Sequence, residues 1–500
     1  MHPYESLLIA KSNLPCHMLP HMANRHGLIS GATGTGKTVT LQVLAESFSK
    51  IGVPVFLSDI KGDLSGLARE GDFSAKIHER IHKLELINHE PEAFPVRFFD
   101  IFGENGHPIR TTITEMGPLL LSRLLQLNDI QSGILRIAFK IADDQGLLLL
   151  DLKDLKLMLQ HLGDNASSYT TQYGNISKAS VGAIQRGLLT LEDQKATHFF
   201  GEPAFQIHDF FKSNSDGKGY INILASDQLF SYPLLYGTFL LWLLSELYEE
   251  LPEVGDLQKP KLVFFFDEAH LLFKDLPKAL LDKVEQVVRL IRSKGVAIFF
   301  ITQNPTDIPD VILSQLGNRV QHALRSFTAR DQKSLKAAAE TFRINPDLDI
   351  EKELTNLETG EALVSFLDEK GRPQVVQKAL ILPPRSQIGP IERHLRQRFI
   401  DTSDLHGKYE DLIDRESAYE ILQKRAELSQ DDTPSYQQPI RDTPSPRKNQ
   451  TTRSSTQSNR KTDSPLDRMA KSMMTSVGRQ IGTTIARGIL GSLLNSQGKK

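Results

Sequence analysis

Residues 28–38, Leu28-Ile29-Ser30 followed by GATGTGKT, constrain this chain more than any other stretch. Leu28 and Ile29 end a short apolar run that reads as a buried strand. Gly31, Gly34 and Gly36 then supply a loop able to adopt positive φ and to approach a ligand closely. Lys37 and Thr38 open a helical stretch whose apolar face is Val39, Leu41, Val43, Leu44 and Phe48. Strand, G-x-x-x-x-G-K-T and helix, in that order, make a phosphate-binding loop. The nucleotide-binding residues are therefore Gly31, Ala32, Thr33, Gly34, Thr35, Gly36, Lys37 and Thr38. Their backbone N–H groups turn toward a phosphate chain. Lys37 is expected to reach the β- and γ-phosphates, and the Thr38 hydroxyl to ligate Mg²⁺.

Two further apolar strands carry chemistry. In KLVFFFDEAH, five consecutive apolar residues, Leu262 to Phe266, predict a strand buried on both faces, as in a parallel sheet. Asp267 and Glu268 end it. Behind a phosphate loop this pair reads as the Mg²⁺-shell carboxylate, Asp267, and the carboxylate that polarises the attacking water, Glu268. VAIFFITQNP, residues 296–305, is another apolar strand and ends in Thr302 and Gln303. An amide at the carboxyl end of such a strand can orient water or report on the γ-phosphate. The linking helix carries Arg289 and Arg292, three apart on one face, either as a solvated basic edge or as an arginine finger for a neighbouring subunit. A fourth strand, Val55 to Leu57, precedes Asp59, Lys61 and Asp63. Ligands of open α/β sheets bind beyond the carboxyl ends of strands, so Asp59 is a further candidate. No N-K-x-D motif reads guanine, which disfavours a GTPase, and the Glu268–Gln303 pair suits attack by water over transfer to a small molecule.

The rest of the chain frames these motifs. Residues 1–26 read as irregular, with Pro3, Pro15 and Pro20 as breakers. Arg25 and His26 stand just before the loop strand, to touch phosphate or a neighbour, or to be solvent-exposed. Residues 68–260 form a mostly helical insertion, with short strands at 95–101, 109–113 and 220–225 and helices at 117–127, 129–142, 151–162 and 177–192. His78, His82 and His89 lack the cysteine or carboxylate company of a metal site. Leu234 to Leu247 is the most apolar stretch, yet too short for a membrane span, and reads as a core helix. The single cysteine, Cys16, gives no disulfide framework. With no leader expected, the compartment is the cytoplasm.

After closing strands at 361–367 and 374–382, a helical extension spans 401–430. Residues 431–465 are too poor in apolar groups to order and read as a disordered linker. In 466–496, Met469, Met473, Val477, Ile481, Ile485, Ile489 and Leu493 recur every four residues among arginines and lysines, giving a basic amphipathic helix. Residues 431–500 hold twelve basic residues against five aspartates, a net +7. The helix suits a protein partner or a membrane surface.

Taken together and in order, NRHGLISGATGTGKT, FFFDEAH and IFFITQNP resemble the HerA-like branch of the HerA/FtsK ATPases over roughly residues 20–400. The resemblance implies an α/β P-loop NTPase with a mainly parallel sheet of the RecA/ASCE type. The strand carrying Gln303 should lie between those carrying the phosphate loop and Glu268. It also implies a hexameric ring that hydrolyses ATP and translocates double-stranded DNA. Gln303 fills the sensor position and Arg292 aligns with the trans-acting arginine, with Arg319 and Arg325 as runners-up. The N-terminal β-barrel by which HerA docks a nuclease is absent, so no nuclease partner is expected. The contrasting expectation is an ATPase switch that acts on a protein or membrane partner without threading DNA.

Overall fold

The computed structural model describes residues 6–431 except 256, 271–272, 274–277 and 326–327. Residues up to Gln423 make one compact unit. The expected linker and basic helix, from 432 onward, lie outside the described residues.

Among the described residues twelve strands share one sheet: β1 Leu7–Lys11, β2 Pro15–Met18, β3 Gly27–Ser30, β4 Val55–Asp59, β5 Val96–Asp100, β6 His107–Pro108, β7 Ile221–Ala225, β8 Leu262–Phe266, β9 Val296–Thr302, β10 Asn318–Gln321, β11 Glu361–Ser365 and β12 Gln377–Ile381. Their spatial order is β2-β1-β12-β11-β10-β3-β9-β8-β4-β7-β5-β6. From β10 to β6 every pairing is parallel. The four strands at the other edge are antiparallel. Strand β9 lies between β3 and β8, the order that the resemblance implies.

Period-two side-chain direction explains the uninterrupted apolar runs. Leu262, Phe264 and Phe266 enter one core cluster, and Val263 and Phe265 enter another on the opposite face. Val296, Ile298 and Phe300 divide from Ala297, Phe299 and Ile301 in the same way. One face is covered by α1, Lys37–Lys50, through Leu41, Leu44 and Phe48. The other carries most of the helices: α3 Ile113–Leu124, α4 Asp129–Asp144, α5 Leu152–Asp164, α7 Lys178–Asp193, α8 Pro233–Glu250 and α9 Lys278–Leu290. Two short helices, α2 Ala75–Lys83 and α6 Ala166–Tyr173, bury no residue fully.

Several expected boundaries move. Residues 6–26 are not irregular: β1 and β2 form a hairpin from Leu7 to Met18, and β1 pairs with β12. Pro15 is tolerated because it starts an edge strand, where no ladder N–H is needed. The strand expected at 109–113 gives way to helix α3, because Thr112 and Glu115 form a reciprocal N-terminal cap. Gly117, at φ 71°, and Pro118 then kink that helix where it was expected to begin. Within 68–260, β5 and β7 are full members of the main sheet. A helix not foreseen covers Arg393–Asp401, and the last described helix starts at Ala418.

Candidate functional site

The loop after β3 is stitched to both neighbouring strands. Gly31 N–H donates to the Thr302 carbonyl at the end of β9, and Ala32 N–H to the Ala323 carbonyl beyond β10. Two of its glycines answer to space as well as to φ. A Cβ on Gly31, at φ 150°, would lie 2.5 Å from His322 Cβ, and one on Gly36, at φ 114°, 3.3 Å from Gly360 Cα. Thr33 and Gly34 are exposed at the crest, and Thr38 is half-buried at the start of α1. Buried Lys37 folds its ammonium over the loop, donating to the carbonyls of Gly31 at 2.7 Å and Ala32 at 3.1 Å. Burial pulls its pKa below the usual lysine range against the attraction of Glu268 and Asp267.

Register carries the other residues to the same end of the sheet. Ser30 is opposite Thr302 and Phe300 is opposite Phe266, so Gln303 stands level with Gly31 and Glu268 with Thr302. The loop and Glu268 are thus two strand spacings apart, about 10 Å, with Gln303 between them. Glu268 adopts φ 47°, a left-handed conformation rare outside glycine. Its buried carboxylate accepts from Lys61 Nζ at 2.7 Å on Oε1 and from Gln303 Nε2 at 3.3 Å on Oε2. Burial pushes the Glu268 pKa up, but the Lys61 hydrogen bond and charge and the Gln303 amide outweigh it, and the net shift is downward. Asp267 accepts the Glu268 N–H at 2.9 Å, and burial raises its pKa to about 6.

A divalent cation fits this set on one observation. Asp63 Oδ1 is buried and has no hydrogen-bond partner. The same carboxyl interacts with the Thr38 hydroxyl and the Lys61 charge. Thr38, Asp267 and Asp63 offer only hard oxygens, the donors Mg²⁺ prefers. Asp59 serves the loop instead: its carboxylate, 1% exposed, accepts from Gly62 N–H at 2.8 Å and Leu64 N–H at 3.1 Å. It thereby shapes the turn that presents Lys61 and Asp63.

The arginines do not join this cluster. Arg292 lies in the 3-10 turn Ile291–Lys294, at the amino end of β9. Seven residues of strand, about 23 Å, separate it from the phosphate-loop end. Arg289 is exposed on α9, and the two no longer share one helix. Arg319 spends its guanidinium on the carbonyls of Leu313 and Leu316, both at 3.1 Å. Arg325 is exposed just beyond β10. His26 neither approaches phosphate nor faces solvent. Its buried ring accepts from Ile298 N–H on Nδ1 and donates through Nε2 to the Val288 carbonyl, tying β3 to β9 and α9.

Sequence reading overlooked two residues. Lys61 was visible only as the neighbour of Asp59, although an apolar strand followed by D-I-K-G-D places a cation at a carboxyl end. His322 is fully buried behind the loop, its Nε2 2.8 Å from Thr40 Oγ1 and its Nδ1 2.9 Å from the Glu361 carbonyl. Burial lowers its pKa to about 4, and the Lys37 charge adds to that. Among the described residues no group of histidine, cysteine and carboxylate side chains could hold a metal by itself, and no helix is long and apolar enough to cross a membrane.

Known proteins are similar to this chain. The HerA helicase of Sulfurisphaera tokodaii, named for DNA double-strand break repair, is 25% identical over 357 residues, 68% of this chain and 62% of the relative. The Methanocaldococcus jannaschii protein named probable helicase MJ1565 is 23% identical over 348 residues, 69% and 60% of the two chains. The chain thus spans less than two thirds of the length of these relatives. The bacterial conjugative coupling protein TrwB, solved among other forms with ADP and Mg²⁺, has the same fold, with a TM-score of 0.53 at 15% identity over 78% of this chain and 92% of TrwB. The family model described as "Helicase HerA-like C-terminal" matches residues 6–500, and the chain belongs to that family.

Proposed function

We propose that this chain is a cytoplasmic ATPase of the RecA/ASCE class that assembles as a hexameric ring and translocates double-stranded DNA. The observation that carries the ATPase is the Glu268 carboxylate, hydrogen-bonded by Lys61 and Gln303 and held two strands from the phosphate loop with the Gln303 amide between them. Loop N–H groups and Lys37 hold the β- and γ-phosphates. Gln303 orients a water, and Glu268 takes its proton as the water oxygen attacks phosphorus. Thr38 and Asp267 would hold Mg²⁺, which would supply positive charge to offset that of the phosphates. Arg292 stands too far from its own nucleotide and acts on that of the next subunit. The ring and the DNA rest on the family and on the HerA relative.

The basic tail favours a second reading, a switch working on a protein or membrane partner. Hydrolysis measured with and without duplex DNA separates the two. The motor reading expects DNA binding and a several-fold stimulation, whereas an ATPase indifferent to DNA refutes it. Lys37→Ala is expected to abolish turnover, and Glu268→Gln to bind ATP but turn over 10²–10⁴-fold more slowly. A Glu268→Gln chain working at the parent rate removes Glu268 from the reaction.

A further inference from the structure

The Glu268 carboxylate stands in a clamp. The register of β4 against β8 sets Ser58 opposite Phe266, which brings the turn after Asp59 alongside Glu268. Asp59 fixes that turn through Gly62 and Leu64, so Lys61 reaches Glu268 Oε1 at 2.7 Å from a preorganised backbone. The Glu268 side chain is 7% exposed and that of Lys61 43%. The base is therefore enclosed while its partner has room to leave. Lys61 also stands close enough to Lys37 for the two positive charges to repel. A γ-phosphate arriving at Lys37 would bring negative charge into reach of a second cation and offer Lys61 a second anion.

We propose that Lys61 is a positioning residue that restrains Glu268 until a nucleoside triphosphate is in place, exchanging the carboxylate for the γ-phosphate. The inference rests on the reading of Glu268 as the base. Released Oε1 accepts a proton from water as the water oxygen bonds to the γ-phosphorus. The bond from that phosphorus to the β–γ bridging oxygen breaks, and the nucleoside diphosphate carries the electron pair away. A diphosphate lacks the exchanging group and leaves the clamp shut.

Lys61→Met keeps the aliphatic stem and removes the charge. In the full-length chain without DNA, kcat should rise up to about fivefold, the bias exerted by an ion pair whose lysine is exposed. KM for ATP should rise while the dissociation constant of a fluorescent ADP analogue stays at the parent value, a split that a merely structural role would not give. Lys61→Arg should restore both parameters. Lys61→Ala provides a second test by the same criteria, since an exposed side chain leaves no core cavity. A kcat at or below that of the parent in variants that bind ADP normally overturns the clamp. Failure of the underlying reading appears elsewhere, as parent-rate hydrolysis by Glu268→Gln.

Discussion

Replacing His322 with alanine asks whether the phosphate loop is held in shape by the strand behind it. Only the Nδ1–H tautomer satisfies both partners, donating to the Glu361 carbonyl and accepting the Thr40 hydroxyl. Alanine keeps the Cβ that abuts Gly31 and removes the ring, whose Cε1 lies 3.5 Å from where a Gly36 Cβ would stand. The Glu361 carbonyl is then left without that partner, which costs about 1–3 kcal/mol. The Thr40 hydroxyl loses a bond worth about 1 kcal/mol. Global stability should fall by about 2–4 kcal/mol, read from urea unfolding. The Thr40 bond sits on α1, the helix that begins with Lys37 and Thr38. If its loss is felt at the nucleotide, the Kd for ADP should rise about fivefold. A His322→Ala chain that unfolds earlier yet binds ADP within twofold of the parent refutes the coupling of this histidine to the loop.

Other outcomes follow from the same geometry. Arg292→Ala subunits mixed with Lys37→Ala subunits should recover part of the activity that each lacks alone, because some interfaces regain one intact site and one intact finger. Verified mixed rings that recover nothing count against a role in trans. His26 is neutral in the fold, where burial lowers its pKa from 6.5 to about 4. The unfolded chain therefore binds the proton first, and the stability it contributes is present above pH 6.5 and lost as pH falls toward 4. At pH 5 the parent should have lost about 2 kcal/mol relative to a His26→Asn variant, compared with their difference at pH 7.5; a pH-independent difference would refute the neutral ring. Deleting residues 431–500 should leave basal hydrolysis near that of the full chain while weakening self-assembly, partner capture or vesicle binding in size-exclusion and liposome assays. Loss of hydrolysis on truncation would make the tail part of the catalytic body.

The legible parts of the site were those written in consecutive residues. The loop, the apolar run into Asp267 and the strand into Gln303 each carry their own period and their own ending. What stayed hidden depends on segments far apart in the chain. His322 acquires its place from Gly31, Thr40 and Glu361, and nothing in RVQHALR announces that. His26 could be read as exposed because its burial is supplied by the end of α9, more than 250 residues on. Asp59 drew attention because it lies just past the carboxyl end of an apolar strand. Two backbone N–H groups claim its carboxylate, and the interaction with Glu268 passes to Lys61. Prolines 15 and 20 suggested a broken segment, yet one begins an edge strand and the other the first turn of a 3-10 helix, positions that require no N–H.

The parallel arrangement around β3 also sets a timetable for synthesis. Ile29 pairs across the sheet with Ile301 on one side and Val320 on the other. On a ribosome adding roughly 5–20 residues per second, the loop strand waits about 15–60 s before either neighbour has been made. During that interval Leu28 and Ile29 have no sheet to enter, whereas the helices of residues 113–193 can already pack on one another. A nascent chain of this kind acquires its helical body early and its nucleotide site almost last, and it is open to chaperones or to mispairing for most of its time on the ribosome.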